Sequence, residues 1–383
     1  MFLKKVLLFA RDPGGANVIA PIYEKLEGTY ELLLYAKEFA VHSLQAAGLP
    51  VKDLQQEWDL KSPKEAMIFL QAIKPEVLIT GTSLDDFTER YLWKAAERLQ
   101  LKAFAILDQW INLGIRFSDC DYKRQEMYHR NRQHPYLPYG ICAMDALAKE
   151  LLQRDGIPKD KIILTGQPHF DTVREKFKHA KAVYGKERWN IVFVSEPISQ
   201  DYDHDSADMY WGYNEKTIFD LLYRCLEKLS KQHGEKIRVI IRPHPRENPA
   251  SWIKVLKKLK NENITLDCNP QAGNFSVMKS ADLVCGMSSM FLLESVICRK
   301  PVLSIEIGLK RENPFVLDKT GQCKSILTKE ELLSRLELLF LQYKNNKRSD
   351  SCRLPQDRVI GYPPNVEHAG DQILRVIEEE IGL

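Results

Sequence analysis

The stretch ADLVCGMSSMFLLESVICRKPVLSI, Ala281 to Ile305, decides how this chain is read. It runs as a short apolar segment, a Gly–Met–Ser–Ser turn, an apolar helix carrying Glu294 in its middle, and a second apolar segment. Two strands that are apolar throughout, with a helix between them, belong to a parallel sheet covered on both faces.

The same alternation extends outward in both directions. KVLLFA, YELLLYA, EVLITGT and KAFAILD read as buried strands in the first half, and NIVFVSE, RVIIRPH, ADLVCG and KPVLSI in the second. Helical patterns such as PIYEKLEG, ERYLWKAAERLQ, TIFDLLYRCLEKLSKQ and SWIKVLKKLK lie between them. The pattern occurs twice without sequence similarity between the halves. It predicts an α/β chain with two Rossmann-like, doubly wound domains facing each other across a cleft. The expected boundaries are 1–171 for a first domain, 172–188 for a lysine-rich linker, 189–354 for a second domain, and 355–383 for a C-terminal tail and helix. In that last helix Ile373, Val376, Ile377 and Ile381 share one side.

Bulk properties narrow the function classes. At 383 residues the chain is long enough for two cores. A net charge of +3 argues against a nucleic-acid partner. The eight cysteines include no Cys-x-x-Cys pair and several sit in apolar runs, which suits small core residues in a reducing cytoplasm. The N-terminal apolar run Val6–Ala10 is too short for a signal peptide, and no later run approaches a membrane span. A cytoplasmic protein is expected. The lysine-rich WIKVLKKLKNEN offers peripheral contact with the inner face of a membrane, against the plainer reading of a solvated helix face.

Ligands of open parallel sheets bind beyond the carboxyl ends of the strands, so the polar residues there matter most. After the first strand come Arg11, Asp12, Gly14, Gly15 and Asn17; the glycines permit either close approach to a ligand or a tight turn, and Asn17 suits a cap. Thr82, Ser83, Asp85 and Asp86 read either as helix-start chemistry or as the source of a general base. Asp108, Trp110 and Arg116 leave the next strand together, as sugar-binding residues or, for Asp108 with Arg116, as a structural ion pair. In the second half Arg242, His244 and Arg246 share a loop stiffened by Pro243 and Pro245, a cationic group suited to phosphate. Gly286 permits close approach, while Ser288 and Ser289 head a helix whose free N–H groups favour an anion. Glu294, flanked by Leu292, Leu293 and Val296, needs a partner if buried: ribose hydroxyls, or a salt bridge to Arg242 or Arg299. Ser195 and Glu196 open a polar loop and reach towards the same ligand. The acids and histidine that follow, Asp201, Asp203, His204, Asp205 and Asp208, fit no metal-site spacing, so no metal and no cofactor is expected.

Together these segments resemble the GT-B glycosyltransferases. TGQPHFD at Thr165–Asp171 is similar to the end of the first domain in many of those enzymes and in UDP-N-acetylglucosamine 2-epimerases. RPHP at Arg242–Pro245 and the pair Ser288–Ser289 resemble the HP and SS motifs of bacterial sialyl-, polysialyl- and Kdo-transferases, which hold the CMP of a CMP-sugar; CDP-glycerol glycerophosphotransferases carry similar motifs. The D/E-D/E-G motif of the first group has DPG at Asp12–Gly14 as its nearest match, and the epimerases' HxEAG is replaced by AILDQWI. The resemblance implies a metal-independent, inverting glycosyltransferase that moves a sugar, CMP-linked by preference, to a surface-glycan or lipid-linked glycan acceptor, as in capsule biosynthesis. Asp12, Asp85, Asp86 or Asp108 would be the base; Ser195, Arg242, His244, Gly286, Ser288, Ser289 and Glu294 would hold the nucleotide; Gly14, Gly15, Asn17, Trp110 and Arg116 would face the acceptor. An epimerase-like isomerase, a CDP-glycerol-type transferase and a non-catalytic nucleotide-sugar-binding protein are the alternatives.

Overall fold

The apolar runs form two parallel sheets, one in each of two units. The computed structural model describes residues 3–202, 209–268, 271–348 and 369–381. Residue contacts divide the chain into unit 1, Met1–Thr172 with Pro363–Leu383, and unit 2, Val173–Tyr362.

Unit 1 contains β1 (Lys5–Ala10), β2 (Glu31–Ala36), β3 (Lys52–Asp53), β4 (Val77–Thr80), β5 (Lys102–Ile106), β6 (Gly140–Ala143) and β7 (Ile162–Leu164), in the spatial order β3-β2-β1-β4-β5-β6-β7. Unit 2 contains β8 (Trp189–Val194), β9 (Ile237–Arg242), β10 (Ile264–Cys268), β11 (Leu283–Gly286) and β12 (Val302–Ser304), in the order β10-β9-β8-β11-β12. All pairs are parallel; Val6 lies opposite Leu32 and Val77, and Ile191 opposite Val239 and Leu283. The strand order reverses beside β1 in unit 1 and beside β8 in unit 2. Those two switch points are where such sheets leave room for a ligand.

The helix after β1 begins earlier than its periodicity predicts. It spans Pro13–Leu26, because Pro13 at its first position needs no N–H partner and already has a helical φ. Gly14 and Gly15 are therefore helical, not a turn, and Asn17 is an exposed residue of the helix body, not its cap. Pro21 lies inside the helix and cannot donate to the carbonyl four residues back; that carbonyl belongs to exposed Asn17, where water can serve.

The core of unit 1 joins Val6, Leu8, Ile19, Ile22, Leu34, Ile79 and Phe104 to Ile373 and Ile377 of the helix Ala369–Ile381. This terminal helix thus packs on unit 1. Lys25 pairs with Asp371, and Glu380 accepts from Lys102 at 2.9 Å and Tyr139 at 2.6 Å. The core of unit 2 gathers Trp189, Phe193, Phe219, Leu222, Trp252, Leu336 and Phe340. The helix Pro168–His179 carries the chain from unit 1 into unit 2. Seven cysteines are free thiols; Cys352 lies outside the described residues. No helix among the described residues is long and apolar enough to cross a membrane.

Candidate functional site

The switch point of unit 1 is built on backbone contact. A Cβ on Gly81, just past β4, would lie 2.7 Å from the Cα of Gly15. A Cβ on Gly14 would lie 1.8 Å from Asp108 Oδ2. Only glycine lets the first turn of the Pro13–Leu26 helix meet both the end of β4 and the carboxylate that follows β5.

Around this junction five carboxylates are bonded to three cations. The Arg11 guanidinium donates to Asp12 at 2.6 Å, to Asp85 at 2.8 Å and to Glu38 at 2.5 Å. Burial would lower the pKa of Arg11, but the charges of Asp12, Asp85 and Glu38 reverse this and raise it. Lys37 bonds Asp86 at 2.5 Å, and the other Asp86 oxygen accepts from the Thr88 N–H. Burial pushes the Asp86 carboxyl up, yet Lys37 and Thr88 outweigh it and hold it below the usual range. Arg116 donates to Asp108 Oδ1 at 2.9 Å and to Thr82 Oγ1 at 2.6 Å. The ion pair left open by the sequence is therefore formed, and Arg116 is a buried anchor of Asp108.

Two expected roles change. Trp110 is 5 % exposed, stacks near Phe170 and donates its indole N–H to Asp145, which also caps the helix Ala146–Arg154. It is a packing residue and not an open sugar platform. Ser83 does not cap a helix; its hydroxyl donates to Glu89 Oε1 at 2.9 Å.

In unit 2, Glu247 ties two strand ends to the helix Pro249–Leu256. It accepts from Ser195 Oγ at 2.8 Å, from the His244 N–H at 2.7 Å and from the Trp252 indole at 3.0 Å. His244 Nδ1 accepts from the Arg246 N–H at 3.2 Å, which leaves the imidazole proton on Nε2 as a donor. Burial, with the charge of Arg246 adding, depresses the His244 pKa to about 3, so the ring is neutral. Arg246 itself makes a two-pronged pair with Asp201, at 3.0 and 2.6 Å, and is held as a structural cation. Arg242 donates to Asn274 at 2.9 Å. Of the residues weighed as metal ligands, Asp201 is held by Arg246, and Asp203, His204, Asp205 and Asp208 lie outside the described residues.

The loop between β11 and the helix Met290–Ile297 holds an anion already. The carboxylate of Glu196 accepts from the Ser288 N–H at 2.8 Å and from Ser288 Oγ at 2.9 Å, with the N–H groups of Met287 and Ser289 adding to the cradle. Burial pushes Glu196 up to about 7 in spite of those bonds. Ser289 caps the helix by accepting from the Phe291 N–H, and a Cβ on Gly286 would stand 3.0 Å from the Val194 carbonyl. Glu294 is buried in the same helix. Behind the loop lies Glu306, which Ser304 bonds at 3.2 Å; burial, then the charge of Glu196, push it up to about 8.

Sequence reading missed Glu38, Glu89, Glu247 and Glu306. Glu89 was detectable: three and four residues before buried Leu92 and Trp93, it falls on the core-facing side of the helix Thr88–Arg98. Glu306 stands inside the apolar run LSIEIG, another signal. Glu247 shows no period and no motif.

No protein-family model matches this sequence, nor does any curated protein. Solved structures do resemble it. UDP-GlcNAc 2-epimerase from Methanocaldococcus jannaschii aligns with a TM-score of 0.63 at 16% identity, over 98% of this chain and 99% of that one. MnaA from S. aureus, solved with UDP, aligns with a TM-score of 0.67 at 16% identity, over 100% and 98%. UDP-GlcNAc 2-epimerase from Neisseria meningitidis, bound to UDP-GlcNAc, gives 0.63 at 15%, over 98% and 100%. At these identities the likeness establishes the fold: two Rossmann-like α/β units, as in the GT-B-like proteins.

Proposed function

We propose that this chain is an enzyme acting on a nucleotide-linked sugar, and that its chemistry is isomerisation of the 2-epimerase kind. The carboxylate array of unit 1 carries this reading. Inverting C2 requires one group to take its proton from one face while the C1–O bond to the nucleotide breaks and a C1–C2 double bond forms. Another group then returns a proton to the opposite face while the nucleotide oxygen re-forms its bond to C1. Transfer to an acceptor needs a single base. Asp12, Asp85, Asp86 and Asp108 stand at one switch point, bonded by Arg11, Lys37 and Arg116, and the presence of more than one carboxyl group at the same strand ends supports the two-group chemistry. The full-length likeness to UDP-GlcNAc 2-epimerases supports the same reading.

Unit 2 offers the nucleotide Arg242 and the neutral Nε2–H donor of His244. The Ser288 N–H and hydroxyl are taken by Glu196, so a phosphate reaches the helix head at Ser288 and Ser289 only by displacing that carboxyl group. The RPHP loop also favours a second reading, transfer of a CMP-linked sugar to a surface glycan or lipid-linked glycan. A thermal-shift panel of UDP, UDP-GlcNAc, CMP, CDP and CMP-sugars separates the two, since a ligand of the folded state raises its melting temperature. Stabilisation by UDP and UDP-GlcNAc, diminished in His244→Ala, is expected. Stabilisation by CMP compounds alone would overturn the epimerase reading in favour of transfer.

A further inference from the structure

Glu89 differs from every carboxylate bonded around the junction of unit 1. It is 1 % exposed; Ser83 donates to Oε1 at 2.9 Å and its own N–H adds a backbone bond, while Oε2 is buried with no partner among the described residues. No cation among the described residues bonds it. Arg90, the next residue, donates its guanidinium to the carbonyls of Leu84, Arg116 and Cys120. Lys37 serves Asp86 and Thr88, Arg11 serves Asp12, Asp85 and Glu38, and Arg116 serves Asp108. The charged groups that face Glu89 are thus Asp86 from the preceding loop, Asp12 from the head of the Pro13–Leu26 helix, and Arg90 from its own helix. An ionised carboxylate in that position would be buried, half-bonded and repelled by two like charges.

We propose that Glu89 is a positioning residue held as a neutral carboxylic acid beneath the unit 1 carboxylates, and that loss of its proton weakens binding of an anionic sugar nucleotide. This rests on the function proposed above. The reason is charge. The junction already bonds five carboxylates with three cations, and a sixth negative charge, on a side chain only 1 % exposed, is less screened than a surface charge and acts against a ligand that is itself negative. The proton released goes to solvent, and Glu89 touches no reacting atom. Burial, then the charges of Asp86 and Asp12, push its pKa up to about 8, so the change falls in an accessible range.

Two measurements on the full chain test this. Infrared difference spectra of wild type minus Glu89→Gln should show a protonated-carboxyl band that titrates away between pH 6 and 10. Calorimetric titration with UDP-GlcNAc should show wild-type affinity falling about tenfold from pH 7 to pH 9, one unit past the midpoint, while Glu89→Gln stays level. Ser83→Ala, which removes the bond favouring the ionised form, should move the wild-type midpoint upward; it serves if Glu89→Gln folds poorly. An absent infrared band, or a Glu89→Gln affinity that falls with pH as wild type does, overturns the proposal. A wild type that binds no sugar nucleotide at any pH defeats the functional reading and the binding half of this proposal, and the infrared band still decides the protonation of Glu89.

Discussion

Single residues carry opposite proton affinities in this chain, and each has a signature in pH. Burial and Arg246 keep His244 neutral with a pKa of about 3, well below the usual 6.5. A depressed histidine binds fewer protons folded than unfolded, so its contribution to stability is whole above pH 6.5 and is lost as the pH falls towards 3. Replacing His244 with Gln should therefore flatten the melting-temperature profile between pH 6.5 and 3, read by calorimetry, with no change at pH 8. Glu89 has the reverse sign. Its folded pKa of about 8 exceeds the unfolded 4.5, so its contribution is whole below pH 4.5 and fades as the pH rises through 8. Glu89→Gln should lose less stability than wild type between pH 5 and 8. Gly14→Ala has a steric outcome: its Cβ would collide with Asp108 Oδ2, so either the helix head or the carboxylate must move. A destabilisation of about 1–3 kcal/mol is expected by denaturant titration, the usual range for overpacking a well-filled site.

At the scale of elements, strand-end loops are organised by glutamates that no motif announces. Glu247 joins the ends of β8 and β9 to the helix Pro249–Leu256 through three donors. Glu247→Ala leaves those donors without their acceptor and should cost about 1–3 kcal/mol in urea unfolding. It should also weaken nucleotide binding, because the His244 loop loses its tie; unchanged affinity would show that the loop holds its own shape. The strands were legible in the sequence because KVLLFA, NIVFVSE and their like are apolar throughout and long enough to be recognised. The two-residue β3 and the short β6 and β7 gave too little period to detect, and β10, ITLDC, was missed because polar Thr265 and Asp267 interrupt its apolar run. The carboxylates at the strand ends were legible as a set, since topology places them there, but their pairing was not. Which cation reaches Asp85 or Asp86 depends on Arg11 and Lys37, which arrive from different strands and share no spacing with them.

At the scale of the molecule, the chain returns to its first unit at the end. Ile373 and Ile377 are 0 % and 2 % exposed in the unit 1 core, on a helix that follows unit 2 in sequence. Ile373→Ala should destabilise unit 1 by about 2–5 kcal/mol, the range for deleting a buried Ile side chain, and leave the unfolding of unit 2 in place. Hydrogen exchange resolved by segment would read this directly, with faster exchange in β1 and β4 and none in β8 and β9.

The central claim is that these groups move a proton on a nucleotide-linked sugar without an acceptor. The most direct measurement is proton NMR of UDP-GlcNAc incubated with the protein in deuterated water. The account predicts loss of the C2 proton signal and appearance of the C2 epimer carrying deuterium, with Asp85→Asn much slower. Intact, undeuterated UDP-GlcNAc after prolonged incubation with folded, UDP-binding protein would contradict it.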